Sequence, residues 1–188
     1  MTDENLKIKI NKELDTLGDS FIILINANSK DYFDSVLETL KFMTERGMGG
    51  VYLTSARPYN YILKSFEKYN INPENLFFID TISCMAGKSA GEQGKCVFIE
   101  NPSALEEVGM WTSILMDRVG NKNKVLIIDS LSTLLIYNES TALTKFSQML
   151  INRLRLQGSS GIFTAIDTEV HEGFQNALTA LCDKIIKV

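Results

Sequence analysis

Cysteine, histidine, proline and positive charge are all scarce in this chain, and each scarcity narrows what it can be. Its 188 residues include 3 cysteines, 1 histidine and 3 prolines. Cys84, Cys96 and Cys182 form no CxxC pair. An odd count without a secretory signal predicts reduced thiols in a cytosolic chain, a Cys84–Cys96 disulfide being the alternative. The lone His171 lies in the polar run Thr168–Glu172, reads as a solvated loop residue, and supports neither a Ser/His/Asp nor a Cys/His arrangement. Net charge is −4, so no global positive field exists to displace counterions from a nucleic-acid backbone. The first residues, Met1-Thr2-Asp3-Glu4-Asn5, have no basic or apolar leader character, and no apolar run approaches membrane-spanning length. A cytoplasmic, soluble protein is the expectation.

What is present is an alternation of short apolar runs with helical periodicity, the pattern of βαβ units around a parallel sheet. At 45% hydrophobic residues the chain can bury one good core, so a single domain over 1–188 is expected, with residues 1–19 as an N-terminal extension. The expected strands are Phe21 to Ile25, Val51 to Thr54, Leu76 to Ile79, Val97 to Ile99, "KVLIID" ending at Asp129, "GIFTAID" ending at Asp167, and an edge strand in "DKIIKV". Between them, helical stripes run through Phe33, Val36, Leu37, Leu40 and Met43, and through Tyr59, Ile62, Leu63, Phe66 and Tyr69. Two more carry Val108, Trp111 or Thr112, Leu115 and Val119, then Leu143, Phe146, Leu150 and Leu154. Gly47 marks one helix end, Pro58 suits a first turn, and Ser103 with Glu106 has capping-box spacing. Residues 83–96 break the periodicity and read as a flexible loop, with Lys88 and Lys95 as its charge excess. Trp111 and the tyrosines fall mostly on helix faces and strands, which favours core packing over a base-stacking platform.

In open α/β sheets the ligand crevice lies beyond the carboxyl ends of the strands. Those positions hold Asn26, Asn28, Ser55 and Arg57, followed by Asp80, Asp129 and Asp167. Carboxylates that converge repel one another unless a cation sits among them, so a divalent metal is one reading; the other is that each aspartate caps the turn after its strand. Asp129 is set apart because it follows an apolar strand and precedes Ser130, the arrangement that places a carboxylate near magnesium in phosphoryl transfer. The turn after the first strand, Asn26 to Tyr32, has no glycine and no Lys-Ser or Lys-Thr pair. A phosphate cradle needs both. Lys30 would have to bend back to reach a phosphate, leaving Ser29 to cap the helix, Lys30 solvated, and Asp31 in the positive field of the helix start. Residual anion binding by the N–H groups of that start is the alternative. Gly87-Lys88-Ser89 imitates a phosphate loop, but the glycine required five residues earlier is Ile82.

The order of these motifs resembles the RecA-type ATPase core in its archaeal and cyanobacterial KaiC-like branch, from about Phe21 onward. "VLIIDSLSTLL" is similar to that branch's Walker B strand and the segment after it, "GVYLTSARPYNYILKSFEKYNI" to its second strand and helix, and "ALTALCDKIIKV" to its terminal strand. The likeness extends to uncharacterised archaeal domains that share the core without its nucleotide motifs. It implies a three-layer α/β sandwich around a mostly parallel sheet, a RecA-like P-loop NTPase core. It also puts Tyr32 where the phosphate-binding lysine should stand, Phe33 at the metal-binding hydroxyl, and Ala56-Arg57 at the catalytic glutamates. Arg57 cannot serve as a base at neutral pH. Only Asp129 is retained, and the lost groups supply most of the electrostatics of phosphoryl transfer.

The leading expectation is therefore a non-catalytic RecA/KaiC-like domain without a cofactor, regulatory or scaffolding, that works through a protein partner or self-association. The alternative is a sensor that holds ATP or ADP at a vestigial site of Ser29, Lys30, Asp31, Tyr32, Arg57 and Asp129, with magnesium on Asp129. A second alternative is an accessory to DNA recombination, which the acidic balance disfavours.

Overall fold

A computed structural model describes residues 3–167 and 172–188. His171 lies outside the described residues. The chain runs α1 (Asp3–Leu14), β1 (Ile22–Ala27), α2 (Tyr32–Glu45), β2 (Gly49–Thr54), α3 (Tyr59–Tyr69) and β3 (Leu76–Asp80). A 3₁₀ turn at Ser83–Ala86 leads to β4 (Gly91–Gln93) and β5 (Cys96–Phe98), then α4 (Leu105–Arg118) and β6 (Lys124–Asp129). The remainder is α5 (Leu131–Tyr137), α6 (Ser140–Leu156), β7 (Ser160–Ile166), α7 (Glu172–Leu181) and β8 (Lys184–Lys187).

The strands form one eight-stranded sheet in the order β4-β5-β3-β2-β6-β7-β1-β8. Every pairing is parallel except β4 with β5. Helices cover both faces, so the central strands β1 and β2 are buried at every residue and read as unbroken apolar runs. One apolar layer joins α1, α2 and α3 to the sheet through Leu6, Ile10, Val36, Leu40, Ile62 and Phe66. The other joins α4 to α7 through Val108, Leu115, Leu143, Leu150, Phe174 and Leu178. This is the expected three-layer sandwich around a mostly parallel sheet.

Several expectations differ locally. Residues 1–19, read only as an extension, contain α1, whose Leu6, Ile10 and Leu14 recur every four residues along an otherwise Lys-rich helix. Such a narrow stripe hides easily. The 83–96 segment, expected as a loop, forms a 3₁₀ turn and an antiparallel hairpin at the sheet edge. Its outer strand is wholly exposed and therefore has no apolar signature. The Ser103/Glu106 capping box does not form. Helix α4 starts after Ala104 without a side-chain cap, and Asn101 Oδ1 accepts the N–H and hydroxyl of Ser103. Strand β1 runs two residues past Ile25, which takes Asn26 out of the turn and into the sheet. All three cysteines are free thiols.

Strands β2 and β6 approach closely because β2 opens on two glycines. A Cβ on Gly50 would lie 1.9 Å from the Val125 carbonyl oxygen. Because that neighbour is backbone within the same sheet, no side-chain rotation relieves the overlap. Gly50→Ala is expected to destabilise the fold by about 3 kcal/mol or more, read as a lower urea midpoint with an unchanged slope. Gly18→Ala, where a Cβ meets nothing within 4 Å, serves as the near-neutral control.

Candidate functional site

The crevice expected at the carboxyl ends of the strands is filled. Tyr32 opens α2, and its hydroxyl donates to Asp129 Oδ1 at 2.5 Å. From β2, the Tyr52 hydroxyl donates to Asp129 Oδ2, also at 2.5 Å. Both oxygens of the β6 aspartate are thus engaged, and Asp129 is fully enclosed. Thr164 on β7, the strand lying between β1 and β6, completes the cluster: its hydroxyl is 2.5 Å from that of Tyr32 and 2.9 Å from the Ile128 carbonyl.

The electrostatics follow from this enclosure. Burial raises the Asp129 carboxyl above the usual carboxylate range, while the hydroxyls of Tyr32 and Tyr52 and the charge of Arg57 pull it down. Burial and the neighbouring Asp129 push both tyrosines well above the usual phenol range. They remain neutral donors. Around them the end of β6 is clasped by Ser55, whose N–H donates to the Asp129 carbonyl at 2.6 Å and whose Oγ accepts the Ser130 N–H at 3.0 Å.

The other expected site residues are brought near but do different work. Ser29 does not cap α2. The helix starts after Asp31 without a side-chain cap, and Asn28 instead braces the turn before it: its Oδ1 accepts the N–H groups of Lys30 and Asp31, both at 3.0 Å, and its amide donates to Asp31 Oδ2 at 2.8 Å. That amide hydrogen bond holds the Asp31 carboxyl below the ordinary range. Ser29 and Lys30 are exposed, whereas Asp129 is enclosed. Arg57 lies over the Phe33 ring, 3.9 Å from its centroid, a cation–π contact.

The strand-end aspartates do not converge on a cation. Asp80 is a cap: its two oxygens accept the N–H groups of Ile82, Ser83 and Tyr59 at 2.9, 2.8 and 2.7 Å. Asp167 accepts the Asn26 amide at 2.7 Å. Among the described residues no group of three His, Cys, Asp or Glu side chains could hold a metal. Magnesium does not fit at Asp129 in this arrangement, since a hard cation needs several accessible oxygens and here a single enclosed carboxylate has both of its oxygens taken.

Tyr52 and Thr164 are the site residues that sequence reasoning missed. A signal existed: a tyrosine amid the aliphatic run "GVYLT" carries a hydroxyl that must find a partner once buried.

Removing one donor from this cluster strands a carboxylate oxygen away from water. Tyr52→Phe is expected to cost about 1–3 kcal/mol in urea denaturation. Asp129→Asn, which can still meet both tyrosine hydroxyls, should stay within about 1 kcal/mol of the parent at pH 7. The folded state holds the Asp129 proton more tightly than the unfolded chain. Stability from this group is therefore full below the ordinary aspartate range and declines as pH rises through the raised folded value. The parent should show that decline and Asp129→Asn should lack it.

No protein-family model matches the chain, and no curated protein does at the threshold of significance. Solved structures do. Over its whole length the chain is similar to the flagellar accessory protein FlaH of Methanocaldococcus jannaschii, covering 77% of that chain at 16% identity and a TM-score of 0.65. A KaiC-like protein of Pyrococcus horikoshii OT3 matches 89% of this chain and 70% of its own at 14% identity, TM-score 0.61. An uncharacterised Pyrococcus horikoshii protein, solved with an unknown peptide, matches 96% and 82% at 11% identity, TM-score 0.70. Among the described residues no helix is long and apolar enough to cross a membrane. With an eight-stranded, mostly parallel sheet between two helical layers and these neighbours, the chain has the RecA/KaiC-like α/β fold.

Proposed function

We propose that this chain is a non-catalytic RecA/KaiC-like domain, a regulatory or scaffolding subunit that acts through contacts with other protein. The observation that carries the reading is the pair of tyrosine hydroxyls on Asp129. Tyr32, in the place where the resemblance puts the phosphate-binding lysine, inserts a neutral ring where phosphoryl transfer needs a mobile cation and an open metal position. The nearby Lys30 is exposed in the turn and supplies no substitute. Phe33, at the position of the metal-binding hydroxyl, lies under the guanidinium of Arg57. Among the described residues, the one carboxylate at the cluster is enclosed and accepts two hydrogen bonds, which leaves it poorly placed to act as a general base.

The comparison proteins add support of a weaker kind. One is described as an accessory protein and another was solved with a peptide bound. Both descriptions are compatible with a fold of this type serving as a platform for polypeptide. Pairing with another copy or with an active protein of the same fold belongs to this proposal by analogy.

A sensor of ATP or ADP remains the rival, and it requires the tyrosines to leave Asp129 so that magnesium can enter. Calorimetric titration separates the two. At nucleotide concentrations of about 1 mM with magnesium, no saturable heat and no thermal shift are expected, corresponding to binding weaker than about −4 kcal/mol. Saturable, magnesium-dependent binding that Asp129→Asn abolishes would overturn the proposal.

A further inference from the structure

Helices α4 and α6 lie side by side on one face of the sheet, and a trough of about 780 Å³ runs between their outer surfaces. At Gly109 the two helices pack tightly enough that a Cβ would come within 3.3 Å of Met149 Cε. The walls are apolar and pliable: Met110, Ile114, Phe146 and Met149 line them. Met110 is 51% exposed, Met149 38%, and Leu156 just beyond is 89% exposed. Flexible methionines on a surface accommodate partner side chains readily.

Charge decides what fits there. Lys145, Met149 and Arg153 recur every four residues along α6, so a cation, an apolar side chain and a second cation stand in one row on the trough wall. Neither cation forms an ion pair among the described residues. Arg153 is instead held in place by the Ser113 hydroxyl and, at 3.4 Å, the Gly109 carbonyl. In a chain of net charge −4, such a row is a local reversal of sign. Helix α4 contributes one carboxylate, Glu106, to the trough. Two copies docked face to face would therefore match two cations with one anion each, leaving positive charge in excess.

We infer that this trough docks an amphipathic helix of another protein, one whose acidic residues flank an apolar stripe and meet Lys145 and Arg153. Three turns of helix, about 16 Å, span the row from one cation to the other with room at both ends. The inference rests on the protein-binding reading above and gives that reading a surface and a partner chemistry.

The probe is a labelled helical peptide with leucines at i, i+3, i+4 and i+7 between glutamates, beside a twin in which lysines replace the glutamates. Fluorescence anisotropy on the full chain should show the glutamate peptide binding saturably, about tenfold or more tighter than its twin. Lys145→Glu should narrow or invert that preference, and Met149→Asp should abolish binding of both peptides. Both substituted side chains are exposed, and thermal unfolding confirms that each variant folds. Equal binding of the two peptides, no binding of either, or binding untouched by Met149→Asp would overturn the inference. So would a concentration-dependent dimer in sedimentation that Met149→Asp dissolves, which would make a second copy the occupant. Nucleotide binding in the separate calorimetric titration defeats the non-catalytic reading and leaves the peptide result standing. A silent titration with no peptide binding defeats the trough alone.

Discussion

A carboxylate taken out of water must be met by donors or by a cation, and the centre of this molecule is organised by that requirement. Asp129 ends the central strand β6 with no access to solvent. An isolated charge in such a place is prohibitively costly, and even a paired one gains little unless every lone pair has a partner. Here two phenols from different elements supply the partners, one from the first turn of α2 and one from the middle of β2. The arrangement fixes the height of α2 over the sheet, because the Tyr32 hydroxyl must reach both Asp129 and Thr164. Ser55 clasps the same corner from the backbone side.

The two faces of the sheet divide the work differently. On the α1–α3 side, aromatic rings carry much of the packing: Tyr52, Phe66 and Phe78 contact one another at 6.0 to 6.3 Å between centroids. Tyr52 thus serves two ends at once, its ring in this cluster and its hydroxyl on Asp129. On the α4–α7 side the packing is mostly aliphatic, and its outer surface leaves methionines in view beside a cationic row that forms no ion pair among the described residues. The closed polar centre and the open apolar trough lie on different parts of the molecule.

Much of this was legible in the sequence, for reasons that particular residues make plain. Runs such as "KVLIID" and "GIFTAID" are mostly apolar because both faces of a central parallel strand are covered, and their terminal aspartates mark the crevice edge. The absence of glycine in the turn could be read directly. The hydrogen-bond geometry could not. That Tyr52 and Asp129 meet depends on β2 lying beside β6, with Thr54 opposite Asp129, a pairing between segments far apart in the chain. Caps were misread for a related reason: Asn28 and Asn101 take up N–H groups in the turns before α2 and α4, and both helices start without a side-chain cap. The helices missed, α1, α5 and α7, are short or carry few apolar residues, so their identity comes from the surface they cover more than from their own periodicity.

The position of β1 has a consequence for how the chain acquires its structure. This early strand pairs with β7 on one side and β8 on the other, and with no strand from the intervening sequence. Val188 and Asn26 hydrogen-bond at the carboxyl end of that pairing. While β2 and β3 can pair from neighbouring segments and β6 can join them before β7 exists, the apolar run of β1 has no sheet to enter until β7 and β8 exist. Contacts of such long sequence separation form slowly, because the loop must close before any of them is gained. During synthesis, then, the opening apolar strand stays unpaired the longest, and it is the segment for which a chaperone would compete.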